Sequence, residues 1–343
     1  MMNDTSPESM KLSEQRLELI ALLLAEEMDS QLEIRHAQSG ETNEFPLSYA
    51  QQQLWFLDRL TPDTFIYNET AIVRLEGKLD LAALEQSFNE IIRRHETLRT
   101  VFPLKEGKPV QVVMTSRSLN WTSHDLSDLP ETLQHERIQA LAIEATQTPF
   151  NLQSDLLLRL CLLSLARDIT VVLLTIHHII SDGWSMGIFV KELAALYTAY
   201  QQGLSSPLPE LPIQYRDFTL WQRQWLQGAI VEEHLAYWRT QLKPPLPVLQ
   251  LPLDHPRPAV QRFRGATHFF RFPAQLSVGL KELERREGST LFMVLLAAFT
   301  VLLHYHSGQD DLIIGTDVAN RNRVEVEELI GLFVNQLVLR TDL

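Results

Sequence analysis

The sequence predicts an α/β protein built in two lobes, and three observations predict it. Helix-like and strand-like segments alternate from Phe45 onward, as in chains that pack helices on sheets. One strand-like stretch, Val171–Ile176, is a continuous apolar run of the kind found in strands buried on both faces. Nine of the 17 prolines crowd into residues 207–258. Proline fixes φ and cannot donate to a ladder, so this stretch reads as an extended crossing between lobes.

The elements follow in order. Residues 1–44 carry ten acidic and three basic side chains, a net −7 out of −13 for the whole chain. Ser13 can cap a helix over 14–28 with Leu17, Ile20, Leu24 and Met28 on one stripe, and 35–44 read as a solvated linker. Leu54, Leu57 and Leu60 suggest a helix with one apolar face, and Ala71–Leu75 a strand. Asp80 caps a helix that carries Leu84, Phe88, Ile91 and Ile92 on one side. Leu156–Ala166 and Ile169–Ile180 read as two strands joined at Arg167-Asp168, followed by a helix through Lys191–Tyr200. Within the proline-rich region Phe218–Leu242 looks helical. Beyond Phe263 come a strand near Thr267–Phe272, a helix near Gln275–Glu287, a buried helix near Leu291–His304, and strands at Leu312–Gly315 and Gln336–Arg340.

Composition narrows the function. Apolar residues make up 45% of the 343 and charged residues 21%, which fits a folded globular chain of about two domains and not a disordered one. A single cysteine, Cys161, excludes an intramolecular disulfide and a Cys-rich zinc site, and fits a reducing, cytoplasmic setting. The longest apolar run, Leu291–Leu303, is too short to span a bilayer, and the acidic start does not resemble a secretory signal. The negative charge argues against nucleic acid or an anionic membrane as partner.

The strongest local signal is HHIISDGWS, His177 to Ser185, at the exit of the apolar strand. Neighbouring residues on a strand point to opposite faces, so one ion could hardly take both imidazoles; no second cluster has ligand spacing, and no metal is expected. The same alternation suits an acid/base group, with one ring in a cleft and the other packed. Asp182 can hold the loop through an ion pair, with Arg99 or Arg321 as partner, and Gly183 permits a tight backbone approach. Arg94, His95 and Glu96 end a helix, where cations suit the dipole, and read as scaffold. Trp55 and Trp221 read as packing residues and Cys161 as core.

HHIISDG matches the HHxxxDG motif of nonribosomal peptide synthetase condensation domains, relatives of chloramphenicol acetyltransferase. Four further segments stand in the family's order. SYAQQQLWFL, Ser48–Leu57, resembles its first motif, and RHETLRTVF, Arg94–Phe102, its second. YRDFTLW, Tyr215–Trp221, resembles the fourth and IGLFVNQ, Ile330–Gln336, the fifth. Gln53, Thr219 and Gln336 stand where arginine, alanine and threonine are common.

The resemblance implies a chloramphenicol-acetyltransferase-like α/β fold of two lobes, a pseudo-dimer, with the active site in a tunnel between them. Residues 1–44 are then an acidic helix and linker, a candidate docking segment for an upstream synthetase; 45–205 form the N-terminal lobe; 206–262 cross; 263–343 begin the C-terminal lobe. Family members carry another motif and further strands beyond the fifth motif, so the second lobe is expected to be incomplete. The implied reaction is amide formation between a donor acyl or peptidyl thioester and the amine of an acceptor aminoacyl thioester. Both ride on the phosphopantetheine arms of carrier proteins, and the domain itself binds no cofactor. His178 is the expected catalytic residue, with His177, Asp182, Gly183, Arg99 and Arg321 in support. Ser185, Trp221 and Asn335 are candidates for lining the channel. The motifs look most like domains that join an L-donor to an L-acceptor. A lipid-initiating starter domain, an epimerisation domain, a coenzyme A-dependent acyltransferase and a truncated, non-catalytic carrier-binding fragment are the alternatives.

Overall fold

The computed structural model describes residues 33–36, 43–119, 121–259 and 265–343. The helix expected over 14–28 and most of the linker after it lie outside the described residues. The chain divides into two compact units. One holds the chain up to Gln227 together with Arg321–Phe333; the other holds Gly228–Asn320 and Val334–Leu343. These bounds differ from the lobes drawn from sequence. Residues 206–227 belong with the first unit, and the IGLFVNQ segment is split, Ile330–Phe333 in the first unit and Val334 onward in the second.

The first unit runs β1 (Glu44–Pro46), α1 (Tyr49–Leu60), β2 (Asn68–Glu76), α2 (Leu81–Arg94), β3 (Thr100–Val101), β4 (Leu104–Lys105), β5 (Lys108–Val113), β6 (Trp121–Asp125), α3 (Glu131–Gln147), β7 (Leu158–Ala166), β8 (Ile169–His177), α4 (Gly183–Gln201) and α5 (Tyr215–Trp225). Its main sheet has the order β2-β8-β7-β6, antiparallel except for the parallel β6–β7 pair. Strand β8 is central and buried from Val171 to His177, as its apolar run requires. Its odd-numbered residues Val171 and Leu173 meet Ile138, Leu141 and Ala142 of α3. Helices α2 and α4 pair with each other, their Phe88 and Phe189 rings 5.6 Å apart. The sequence pattern explains α2 directly. The Asp80 carboxylate accepts from the Ala83 N–H, and Leu84, Phe88, Ile91 and Ile92 are all buried. Helix α1 departs from its pattern: Leu54 is buried but Leu60 is exposed, and the inner face is shared with the buried amide of Gln51. A smaller sheet, β1-β5-β3 with β4 also on β5, closes the unit.

Segment Arg321–Phe333 has almost no regular structure, yet it carries part of the core. Val326, Leu329 and Phe333 pack with Ile34, Ile213, Tyr215 and Phe218.

The second unit holds α6 (Ala229–Gln241), α7 (Ala274–Glu287), α8 (Leu291–Ser307) and the antiparallel pair β9 (Asp311–Val318) and β10 (Asn335–Asp342). Three sequence expectations are corrected here and at its border. The single helix expected over Phe218–Leu242 is two helices, α5 and α6, separated at Gly228, whose φ of 58° interrupts a helix. The strand expected at Thr267–Phe272 is irregular, with Phe269 and Phe270 exposed. Its residues suit a strand, but a strand requires a neighbour, and β9 pairs with β10. Helix α8 forms from a Thr290 cap to a left-handed Gly308, but only Thr300 and Leu303 are buried, so it is not the core helix its apolar run suggested. No single described helix is long and apolar enough to cross a membrane; α7 and α8 reach that composition only as a pair bent by 105°.

Candidate active site

The site grows from the end of β8. The His177 N–H donates to the Leu157 carbonyl at 3.0 Å and the His178 N–H to that of Tyr67 at 2.8 Å, so both backbones are held by neighbouring strands. A single turn over His178–Ile180 follows, then Ser181, then Asp182 as the cap of α4. Alternation places the two rings in different surroundings. The His177 ring is buried edge-on against Phe150, with centroids 6.2 Å apart. Its Nδ1 accepts from the Ile179 N–H at 3.1 Å, which puts its proton on Nε2. Burial, with the neighbouring His178 adding to it, pushes the His177 imidazole down to about 3. It is neutral at any pH where the protein works.

That depression has a consequence for stability. Between pH 6.5 and about 3 the unfolded chain binds a proton at His177 that the folded chain refuses. Stability is therefore complete above the unfolded value and falls as the pH drops through this window, by up to about 1.4 kcal/mol per pH unit. His177→Asn, which keeps an acceptor for the Ile179 N–H but does not titrate, should flatten the acid side of a urea-midpoint profile. A profile as steep as that of the parent chain would contradict the assignment.

His178 is different. Its side chain is 24% exposed, and its Nδ1 lies 2.7 Å from the Ser181 carbonyl oxygen and 3.4 Å from Glu69 Oε1. Both neighbours can only accept, so Nδ1 carries the proton and Nε2 keeps a lone pair. A ring held in this tautomer can take a proton at Nε2.

The loop is fixed by Asp182. Oδ1 accepts from the Ser185 N–H at 2.8 Å and from Ser185 Oγ at 2.7 Å, and lies 3.3 Å from Arg321 Nη2. Oδ2 accepts from the Phe333 N–H at 3.0 Å. One carboxylate thus caps α4, neutralises a buried guanidinium and ties down Arg321–Phe333. Arg321 also donates to the Val326 and Leu329 carbonyls, at 2.5 and 2.7 Å, and lies over the Phe333 ring. Of the two arginines considered from sequence, the structure brings Arg321 to Asp182. Arg99 lies elsewhere, 3.6 Å from Glu96 and bonded to the Met114 carbonyl. Ser185, a channel candidate by sequence, is fully buried and its hydroxyl is shared among Asp182, Arg321 and the Gly331 backbone, so it offers no surface to a substrate. Trp221 stacks on Trp225 at 5.4 Å and packs beside Phe218, as a core-edge residue does. Asn335 opens β10 in the second unit and is exposed. Gly183 starts α4, and a Cβ built on it meets nothing within 4 Å.

Two further clusters brace the same segment. Buried Glu192 on α4 accepts from Arg94 Nε at 2.9 Å and from His95 Nε2 at 2.8 Å, while His95 Nδ1 accepts from the Ile330 N–H at 3.3 Å. Burial raises the Glu192 carboxyl, but the His95 and Arg94 contacts outweigh it and hold the group below its ordinary range. Burial also pulls the His95 imidazole down. The third cluster centres on Tyr215, whose hydroxyl donates to the Leu332 carbonyl at 2.6 Å and lies 2.8 Å from Ser48 Oγ. Its ring covers Gly331 so closely that a Cβ there would lie 2.1 Å from a ring carbon. The RHE, HHxxxDG, YRDF and SYAQ segments therefore converge on Leu329–Phe333. Sequence reasoning missed Glu69 and Glu192, which lie outside every one of the five motifs. Ser48, Tyr215 and Gly331 stand inside those motifs but had no assigned role. Among the described residues no three His, Cys, Asp or Glu side chains come together as a metal-binding group.

The Condensation domain family profile matches residues 41–343, nearly the whole chain. The chain belongs to the condensation-domain family. It is 48% identical over 298 residues to the chondramide synthase of Chondromyces crocatus, covering 87% of this chain and 8% of that protein. Over 295 residues it is 44% identical to a phosphinothricin tripeptide synthetase of Streptomyces viridochromogenes, covering 86% of this chain and 27% of that one. The domain thus spans a small part of the curated relatives it matches. Among solved structures it is similar to the X-domain in the complex of X-domain and OxyB from teicoplanin biosynthesis, with a TM-score of 0.80, 28% identity, and coverage of 91% of this chain and 67% of that one. The epimerization domain from the third module of tyrocidine synthetase B has a TM-score of 0.76 at 21% identity, covering 90% and 69%, which shows the shared fold alone. The fold is the α/β fold of condensation domains, and the relatives place the chain among nonribosomal peptide synthetase domains. Family membership implies amide-forming acyl transfer.

Proposed function

We propose that this condensation domain joins the acyl or peptidyl group of a donor carrier to the amine of an aminoacyl acceptor carrier, L to L, with His178 as its catalytic residue. One observation carries this reading: a partly exposed imidazole whose Nδ1–H is held by the Ser181 carbonyl, which leaves the Nε2 lone pair to accept a proton. The acceptor amine nitrogen attacks the donor thioester carbon and a C–N bond forms. His178 Nε2 takes the proton that the nitrogen sheds, the C–S bond breaks, and the proton passes to the departing sulfur, which leaves as the free thiol of the donor arm. A thioester is already activated, so placing two phosphopantetheine arms end to end supplies much of the acceleration.

Gly183, at the start of α4, leaves open space that the same reading gives to the passing arm. The acidic residues 1–44 are proposed as the contact to an upstream synthetase, on their charge and amphipathic pattern.

His178→Ala tests the central claim. With loaded donor and acceptor carriers, dipeptidyl-carrier formation followed by mass spectrometry should fall by at least about 100-fold, the usual contribution of a positioned acid/base group. Melting should fall by only a few degrees, the effect of about 1 kcal/mol for one lost hydrogen bond. Turnover near that of the parent chain would sink the assignment.

A further inference from the structure

The geometry points to Glu69 as a positioning residue that stands beside His178 Nδ1 and stabilises the imidazolium as the acceptor amine gives up a proton; this rests on the catalytic reading of His178 above. The sheet register puts Glu69 there. In the antiparallel β2–β8 pair Asn68 lies opposite His177 and Glu69 opposite Ile176. Asn68 is buried and donates through its amide to the Thr146 and Thr148 carbonyls, both at 2.9 Å, at the end of α3. Alternation then turns the next side chain, Glu69, to the other face, where His178 emerges. The Tyr67 carbonyl takes the His178 N–H, so the backbone before Glu69 and the backbone of His178 are locked together. The carboxylate oxygen lies 3.4 Å from Nδ1. Among the described residues no lysine or arginine pairs with Glu69. Strand β2 lies at the edge of its sheet, and the Glu69 side chain is 46% exposed there.

The other charged groups around the ring are already matched. His177 is neutral, and Asp182 is neutralised by Arg321. The Tyr67 phenol is pushed up by burial and stays protonated. Among the described residues Glu69 is the carboxylate that stands against Nδ1 to answer a positive charge on His178. When Nε2 accepts the amine proton, the ring becomes a cation with Nδ1–H bonded to the Ser181 carbonyl and with the Glu69 carboxylate 3.4 Å away. The carbonyl fixes the tautomer and the carboxylate supplies the counter-charge.

Glu69→Gln in the full chain is the test, since it keeps the shape and removes the charge. The His178 imidazole resonances, assigned by their loss in His178→Ala, should move to lower pH in the glutamine variant at low salt, because a neutral amide no longer favours the ring's charged form. The difference should shrink in about 1 M salt. In the carrier assay the kcat plateau should fall about threefold with KM for the acceptor carrier unchanged. The acid limb of the kcat profile should move to lower pH in step with that titration, because the base then loses its proton more easily. Glu69→Asp, which keeps the charge at shorter reach, should recover part of both effects. An unmoved His178 titration overturns the proposal, as does a moved titration with an unmoved pH profile. Turnover that survives His178→Ala instead removes the catalytic reading on which the proposal rests, whatever the titration shows.

Discussion

Gly331→Ala is expected to lower the melting temperature by roughly 6–12 °C, the shift that about 3 kcal/mol produces in a unit of this size. The added Cβ would lie 2.1, 2.5 and 3.0 Å from Cδ2, Cε2 and Cγ of Tyr215, closer than carbon atoms approach. The ring has no room to yield. It is buried, lies 5.0 Å from the Phe333 ring and 5.6 Å from that of Phe218, and its hydroxyl is held between Ser48 Oγ and the Leu332 carbonyl. Moving it would leave a phenol that burial already keeps from ionising without its partners, and would open a gap at the centre of the core. The same substitution in a Tyr215→Leu background should cost much less than the two single changes added together, because leucine lacks the ring edge that collides. A Gly331→Ala protein that melts with its parent would contradict the close approach. So would strictly additive effects in the double variant.

That contact also shows which parts of the molecule were legible beforehand. Local, periodic features were. Asp80 as a cap, the α2 stripe of Leu84, Phe88, Ile91 and Ile92, and the two-sided burial of β8 all follow from rules that act within one turn or one strand. The opposed environments of His177 and His178 follow from strand alternation in the same way. Features that need a distant partner were not. Sequence supplied two arginines for Asp182 but no distance to either, and only the return of Arg321–Phe333 into the first unit decides between them. Thr267–Phe272 has the residues of a strand and no strand beside it. Glu69 faces His178 because of the β2–β8 register, which pairs residues about a hundred positions apart and leaves no mark in either segment alone. Helix α8 was expected in a core because it is apolar on all sides, yet its Phe292, Met293, Phe299 and Tyr305 side chains are exposed.

Asp182→Ala should be the most damaging change near the site, costing about 3–5 kcal/mol from the broken buried pair and about 1 kcal/mol more from the lost helix cap. Asp182 and Arg321 are both almost wholly buried, and the guanidinium, already pulled down by burial, depends on this carboxylate for its counter-charge. Removing it strands the cation, uncaps α4 at Ser185 and frees the Phe333 N–H. Arg321→Ala should cost a similar amount, since it strands the carboxylate instead. Asp182→Asn should fall between the parent and the alanine variant: an amide oxygen can still cap α4 but offers Arg321 no charge. Arg99→Ala is the control. Its bonds run to the Met114 carbonyl and, at 3.6 Å, to Glu96, with no contact to Asp182, so the loss of one hydrogen bond and a loose pair, about 1–2 kcal/mol, is expected. Urea midpoints at a common m-value measure all four. Catalysis should suffer beyond stability, because the Ser181 carbonyl that orients His178 immediately precedes Asp182 and moves with it. Under conditions where the Asp182→Asn protein is fully folded, its kcat should still be reduced about tenfold with the acceptor KM little changed, since the loss is one of ring orientation and not of binding. If Arg321→Ala cost no more than Arg99→Ala, the pairing of Asp182 with Arg321 would be wrong. If folded Asp182→Asn turned over at the parent rate, the turn from His178 to Asp182 would not be what holds the imidazole.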